Sequence, residues 1–150
     1  MPEVLVTPST FRDRNGRYWR CLRLVAPADF RFEKNPDEIL AFVYELRRQR
    51  FIKDRFRSRG RKHRPGICID LDDVKSIDLE GALILTAEID RIRLVYRTKP
   101  HMDDANWHSG VRAVLHGLGL YDVVDALRSA DAPEITDLGG LLAPTFRLRV

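Results

Sequence analysis

Residues 67–92, ICIDLDDVKSIDLEGALILTAEIDRI, constrain the fold of this chain more than any other stretch. Ile67, Cys68, Ile69 and Leu71 make a short apolar run, preceded by Pro65 and Gly66 and followed by Asp72 and Asp73. Such a run predicts a strand covered on both faces. A helix starts a few residues later. Asp78 is a good N-cap, because its carboxylate can accept from the free amides of a first helical turn. Leu79, Ala82, Leu83, Thr86, Ile89 and Ile92 then recur at helical spacing and form one mostly apolar stripe. Arg91 and Arg93 fall near the end of this helix, where its dipole favours cations. A strand feeding a helix through a tight acidic turn is half of a βαβ unit, so a layered α/β domain is expected.

With 150 residues, 44% hydrophobic and 32% charged, the chain suits one domain with a sizeable core. No apolar run approaches the roughly 18 residues of a membrane span. The first residues, MPEVLVTPSTF, lack the basic and apolar regions of a secretory signal. Cys21 and Cys68 are far apart in sequence, and Cys68 lies in the expected buried strand, so both read as free structural thiols. These features together give a cytoplasmic expectation.

Charge is unevenly spread. Residues 47–64 hold ten Lys or Arg against the single acid Asp54, a net +9. The whole chain is only +4, so the remainder, with 16 basic and 21 acidic residues, carries −5. One segment therefore produces the basic character. Its composition predicts that residues 50–64 are exposed and at least partly disordered.

In chain order, residues 1–16 read as an irregular arm with a turn at Asn15-Gly16. Residues 17–25 predict a strand, with Trp19, Cys21 and Val25 on one side and Tyr18, Leu22 and Leu24 on the other. Phe30 and Phe32 suit a second short strand or an extended connection. Asn35-Pro36-Asp37-Glu38 is a strong helix start, with an apolar face from Ile39, Leu40, Phe42, Val43 and Leu46, ending near Gln49. Leu94, Val95 and Tyr96 either continue the central helix or begin a strand. Residues 99–106 read as a loop or edge strand. Residues 107–118 predict a helix capped by Asn106 or Ser109 and closed by Gly119. Residues 121–127 suit one or two helical turns. Residues 128–150 read as a loop and a terminal strand, TFRLRV.

The pattern ICIDLDDVKSIDLEGALIL resembles the core of the STAS domain, the fold of bacterial anti-sigma factor antagonists. Asp70, Leu71, Val74, Ile77, Asp78 and Gly81 match its spacing. Downstream, VRAVLHGLGLYDVV resembles the family's following helix, through Val111, Arg112, Leu115, Gly119, Leu120 and Val124. Upstream, FRFEKNPDEILAFVYELR resembles the first helix of small STAS-like proteins that accompany histidine-kinase-like ATP-binding proteins. The resemblance spans residues 20–127. It implies a single STAS-like domain over 17–127 with a basic insertion at 47–64. That α/β domain would have a mixed sheet of about four to six strands and helices mainly on one face. Phe42, Leu46, Leu83, Ile89, Val114 and Leu115 are the expected core.

The chain departs from the family where antagonists carry a phosphorylatable Ser or Thr. Leu79 follows Asp78 here and has no hydroxyl; Ser76 is a displaced candidate, and Glu80 supplies a fixed negative charge. The resemblance thus implies a non-enzymatic, regulatory protein-interaction module without that switch. Asp72, Asp73, Ser76, Asp78 and Glu80 are its expected contacts with a histidine-kinase-like ATP-binding partner. Asp70, Asp72, Asp73 and Asp78 gather where α/β folds place sites, but no phosphate loop or nucleophile–base pair joins them. His63, His101, His108 and His116 lack zinc-ligand spacing. No cofactor or metal is expected. A second reading is nucleic-acid binding through Arg50, Lys53, Arg55, Arg57, Arg59, Arg61, Lys62 and Arg64, with Phe51 and Phe56 interleaved for stacking.

Overall fold

The computed structural model describes residues 2–12, 15–57, 66–96, 100–123 and 125–127. The elements run β1 (Val6–Arg12), β2 (Tyr18–Val25), β3 (Asp29–Phe30), α1 (Pro36–Arg57), β4 (Gly66–Asp70), β5 (Ser76–Ile77), α2 (Leu79–Tyr96), β6 (His101–Asp103), α3 (Ser109–Gly117), α4 (Leu120–Val123) and β7 (Asp125–Leu127). They form a five-stranded sheet ordered β1-β2-β4-β6-β7 and a separate parallel pair, β3-β5. β1 is antiparallel to β2, and the other neighbours are parallel, so the fold is mixed α/β. No helix among the described residues is long and apolar enough to cross a membrane.

Strand order explains where the helices go. Each step from β2 to β4, β4 to β6 and β6 to β7 joins neighbouring parallel strands through a helix and advances the same way across the sheet. Crossovers of this type are right-handed, so consecutive steps in one direction deposit their helices on one face. The helices accordingly meet one another, α2 touching α1, α3 and α4. Leu24, Ile67, Ile69 and Met102 from the sheet and Phe42, Leu46, Leu85, Ile89, Ile92 and Leu115 from the helices share one core. Arg47 crosses from α1 to grip the buried Glu88 of α2 with two hydrogen bonds of 2.9 Å. At the far end, Asp104 is fully buried and accepts from the Tyr121 hydroxyl, while its carbonyl accepts from Arg112 at 2.7 Å.

Several expectations change. Residues 6–12 are an edge strand and not an irregular arm; Pro8 is tolerated there because an edge strand leaves one ladder side unpaired. The first helix continues past Gln49 to Arg57, so the backbone of the basic stretch 50–57 is helical. Arg and Lys are good helix formers, and a helix already started propagates through them. Whether residues 58–64 are disordered, and whether 145–150 form a strand, lies outside the described residues. β4 is not apolar on both faces: Ile67 and Ile69 are buried, whereas Gly66, Cys68 and Asp70 alternate with them and are half-buried. β6 lies inside the sheet, between β4 and β7. The α2 helix runs on through Tyr96. His108, not Asn106 or Ser109, caps α3, its Nδ1 accepting from the Gly110 amide at 3.2 Å. Residues 121–127 split into the end of α4 and strand β7.

The apolar stripe of α1 is narrower than its sequence suggested. Ile39, Phe42 and Leu46 are buried, but Leu40 is 52% exposed. Leu83 is half-buried beside the core, while the other five expected core residues are buried in it. Ile39→Ala should therefore cost about 2–4 kcal/mol, while Leu40→Gln should change stability by no more than about 0.5 kcal/mol. Urea unfolding of the two variants checks this. Equal losses would mean that α1 is rotated from the position described.

Candidate functional site

Two regions hold the polar side chains with chemical potential. The first is the corner between β4 and α2. Leu71 and Val74 bury themselves and pin the turn, and the Val74 amide donates to the Leu71 carbonyl at 3.0 Å. Ser76 and Ile77 then pair with Asp29 and Phe30. Asp78 caps α2 as expected: its Oδ1 accepts from the Gly81 amide at 2.6 Å. It also reaches outside its own helix. The amides of Phe32 and Glu33 donate to its carboxylate at 3.0 and 3.2 Å. Burial pushes the Asp78 carboxyl up, but these backbone amides outweigh burial and hold it below the usual carboxylate range. One side chain thus ties the β3–α1 connection to the start of α2.

Around this anchor the other expected contacts differ in access. Asp72, Asp73 and Glu80 are exposed, whereas Ser76 and Asp78 are half-buried. The Asp72 amide donates to Asp70 Oδ1 at 2.8 Å, which turns the chain outward at the strand end. Although its side chain reaches solvent, Asp72 is pushed above the usual carboxylate range, first by partial desolvation at the strand end and then by the charges of Asp70 and Asp103. The exposed acids therefore stand on a tightly bonded turn.

The second region is the sheet face opposite the helices. Because Leu22 and Leu24 face the core, Cys21 and Arg23 face away; β4 repeats the pattern with Ile67 and Ile69 against Cys68 and Asp70. No described helix lies on this side. Phe11 stacks on the buried His101, with ring centroids 4.0 Å apart and planes at 13°. Arg23 forms a two-donor ion pair with Asp70. An open cleft of about 470 Å³ runs over this face, walled by Phe11, Tyr18 and His101 and edged by Asp70, Asp72 and Asp103. Cys21 Sγ and Cys68 Sγ lie 2.7 Å apart, and both thiols are free.

The cleft was not among the sequence expectations. Its signal was the shared alternation of CLRLV and ICID, which becomes readable only when the register of β2 on β4 is known. Of the basic candidates, Arg50, Lys53, Arg55 and Arg57 lie on the α1 backbone, while Arg59, Arg61, Lys62 and Arg64 lie outside the described residues. The histidines do not gather: His101 is in β6, His108 caps α3, and His116 sits on α3 near the Tyr121 ring. Among the described residues, no three side chains of metal-ligating type converge.

No protein-family model, no curated protein and no solved structure matches the chain.

Proposed function

We propose that this chain is a non-enzymatic STAS-like regulator that binds a histidine-kinase-like ATP-binding protein through the β4–α2 corner. The observation that carries the reading is the triple use of Asp78. Three backbone amides from two separate segments converge on its carboxylate, so the turn from Asp72 to Glu80 is held before any partner arrives. A surface already ordered loses less conformational freedom on binding. Asp72, Asp73 and Glu80 then offer a fixed acidic patch to Arg or Lys of a partner, while Ser76 and Asp78 support it from behind. Leu79 stands at the family's phosphoacceptor place, so kinase and ATP would not release the complex by modifying that position. The mixed sheet, with helices gathered on one face, also suits the resemblance.

Glu80→Lys is expected to weaken partner retention by about tenfold, a change of about 1.4 kcal/mol. Its Tm should stay within a few degrees of the parent's, because Glu80 is exposed. The measurement is capture from native-host extract on immobilised protein, with the retained protein identified and assayed for ATP binding. An ATP-binding partner held equally well by the parent, Glu80→Lys and Asp73→Lys would remove this corner as the interface.

The length of α1 favours one alternative. Its extension to Arg57 places Arg50, Lys53, Arg55 and Arg57 on a regular helix, a form suited to contacting phosphates. If no protein is retained, but oligonucleotides bind with strong salt dependence and lose binding on Arg55→Ala with Arg57→Ala, the nucleic-acid reading replaces the first.

A further inference from the structure

We propose that Cys21 and Cys68 are a modification site: a dithiol that a hydroperoxide oxidises to an intramolecular disulfide linking β2 to β4. The two residues lie on neighbouring parallel strands, on the same face and two register positions apart, Cys21 opposite Gly66 and Cys68 opposite Arg23. Their sulfurs at 2.7 Å need to close by only roughly 0.7 Å to reach bonding distance. Inert core cysteines pack as small apolar groups, but this pair faces the polar side of the sheet. Cys68 lines the open cleft, and Cys21, 3% exposed, meets it through the contact of its sulfur with Cys68.

The surroundings assign different roles to the sulfurs. The Cys68 thiol donates toward Cys21, Ser9 is the register partner of Cys21 across β1, and Arg23 follows it on the same face. These neighbours favour a thiolate at Cys21. The Cys68 hydrogen bond is the largest influence, with Ser9 and Arg23 adding to it against burial, and together they hold Cys21 below the usual thiol range. Cys68 is pushed far up, first by its hydrogen bond to Cys21 and then by burial, so it keeps its proton.

The chemistry balances with hydrogen peroxide as oxidant. The Cys21 thiolate attacks one peroxide oxygen, the O–O bond breaks, and the departing hydroxide takes a proton to become water. Cys21 is then a sulfenic acid. The Cys68 sulfur attacks the Cys21 sulfur, an S–S bond forms, the S–O bond breaks, and the second hydroxide leaves with the Cys68 proton as water. Two thiols lose two electrons in all, and one peroxide gains them.

The test uses the full chain, freshly reduced and treated with an excess of hydrogen peroxide. Thiol titration under denaturing conditions should fall from two to none, and the intact mass should drop by two hydrogens without dimer on a non-reducing gel. Cys68→Ser should trap the intermediate, giving a dimedone adduct at Cys21. Persistence of both thiols in the parent protein, or oxidation only to sulfinic acid or intermolecular dimers, would overturn the proposal. An adduct on Cys68 in Cys21→Ser, with none on Cys21 in Cys68→Ser, would overturn the order of attack. The parent measurement decides even if a variant does not fold.

Discussion

Gly81→Ala is expected to destabilise the protein by about 2–3 kcal/mol and lower its Tm by roughly 5–10 °C, although alanine is the better helix former. A Cβ at position 81 would lie 2.0 Å from the Phe30 carbonyl oxygen and 2.9 Å from Asp78 Oδ1. The first neighbour is backbone, held by the pairing of Phe30 with Ile77, and cannot step aside cheaply. Alanine's propensity gain, about 1 kcal/mol, is smaller than the cost of parting two packed segments. Gly110→Ala is the matched control. Its Cβ would meet only the His108 ring, at 3.4 Å, so the propensity gain should survive there. Thermal unfolding of both variants separates the effects. A Gly81→Ala protein as stable as the parent would mean that β3 does not cross over the start of α2.

Asp78→Ala should cost about 2–4 kcal/mol at neutral pH, because it removes a cap and leaves three amide donors without their charged acceptor. The loss should depend on pH, with a definite sign. The folded-state pKa of Asp78 is depressed below the ordinary value of 3.8, so the unfolded chain takes up the proton more readily. The stabilisation is whole above about pH 5 and is lost as pH falls through the unfolded value toward the lower folded one. Urea unfolding at pH 7 and at pH 3 should therefore show a narrower gap between parent and variant in acid. Asp72 has the opposite sign: its folded pKa is raised, so its contribution becomes more favourable as pH falls. A gap that widens in acid for Asp78→Ala would contradict the bonding described for this corner. Because the same carboxylate orders the proposed interface, loss of partner binding in this variant is read beside Glu80→Lys, which leaves the corner folded.

What the sequence determined by itself was local. Asn35-Pro36 at the start of α1, Asp78 at the start of α2 and Gly119, with φ +82°, after α3 are all legible because a cap depends on residues within one turn. The stripes carrying Phe42, Leu46, Ile89 and Leu115 are legible for the same reason, since helical periodicity is a property of one segment. The corner candidates were also readable as a group, because Asp72, Asp73, Ser76, Asp78 and Glu80 lie within nine consecutive positions. How they divide depends on contacts between segments far apart in sequence. Asp78 turns inward because Phe32 and Glu33 arrive from another part of the chain with free amides, and no local rule contains that meeting. The edge strand β1 and the inner strand β6 were equally hidden. Strand pairing is settled by a partner's register, and a segment with Pro8 or only three paired residues carries little signal of its own. The same register brings Cys21 to Cys68 and Arg23 to Asp70 across 47 positions of sequence. Side chains on neighbouring strands meet when their alternation falls in phase, and phase is a relation between two segments that neither contains.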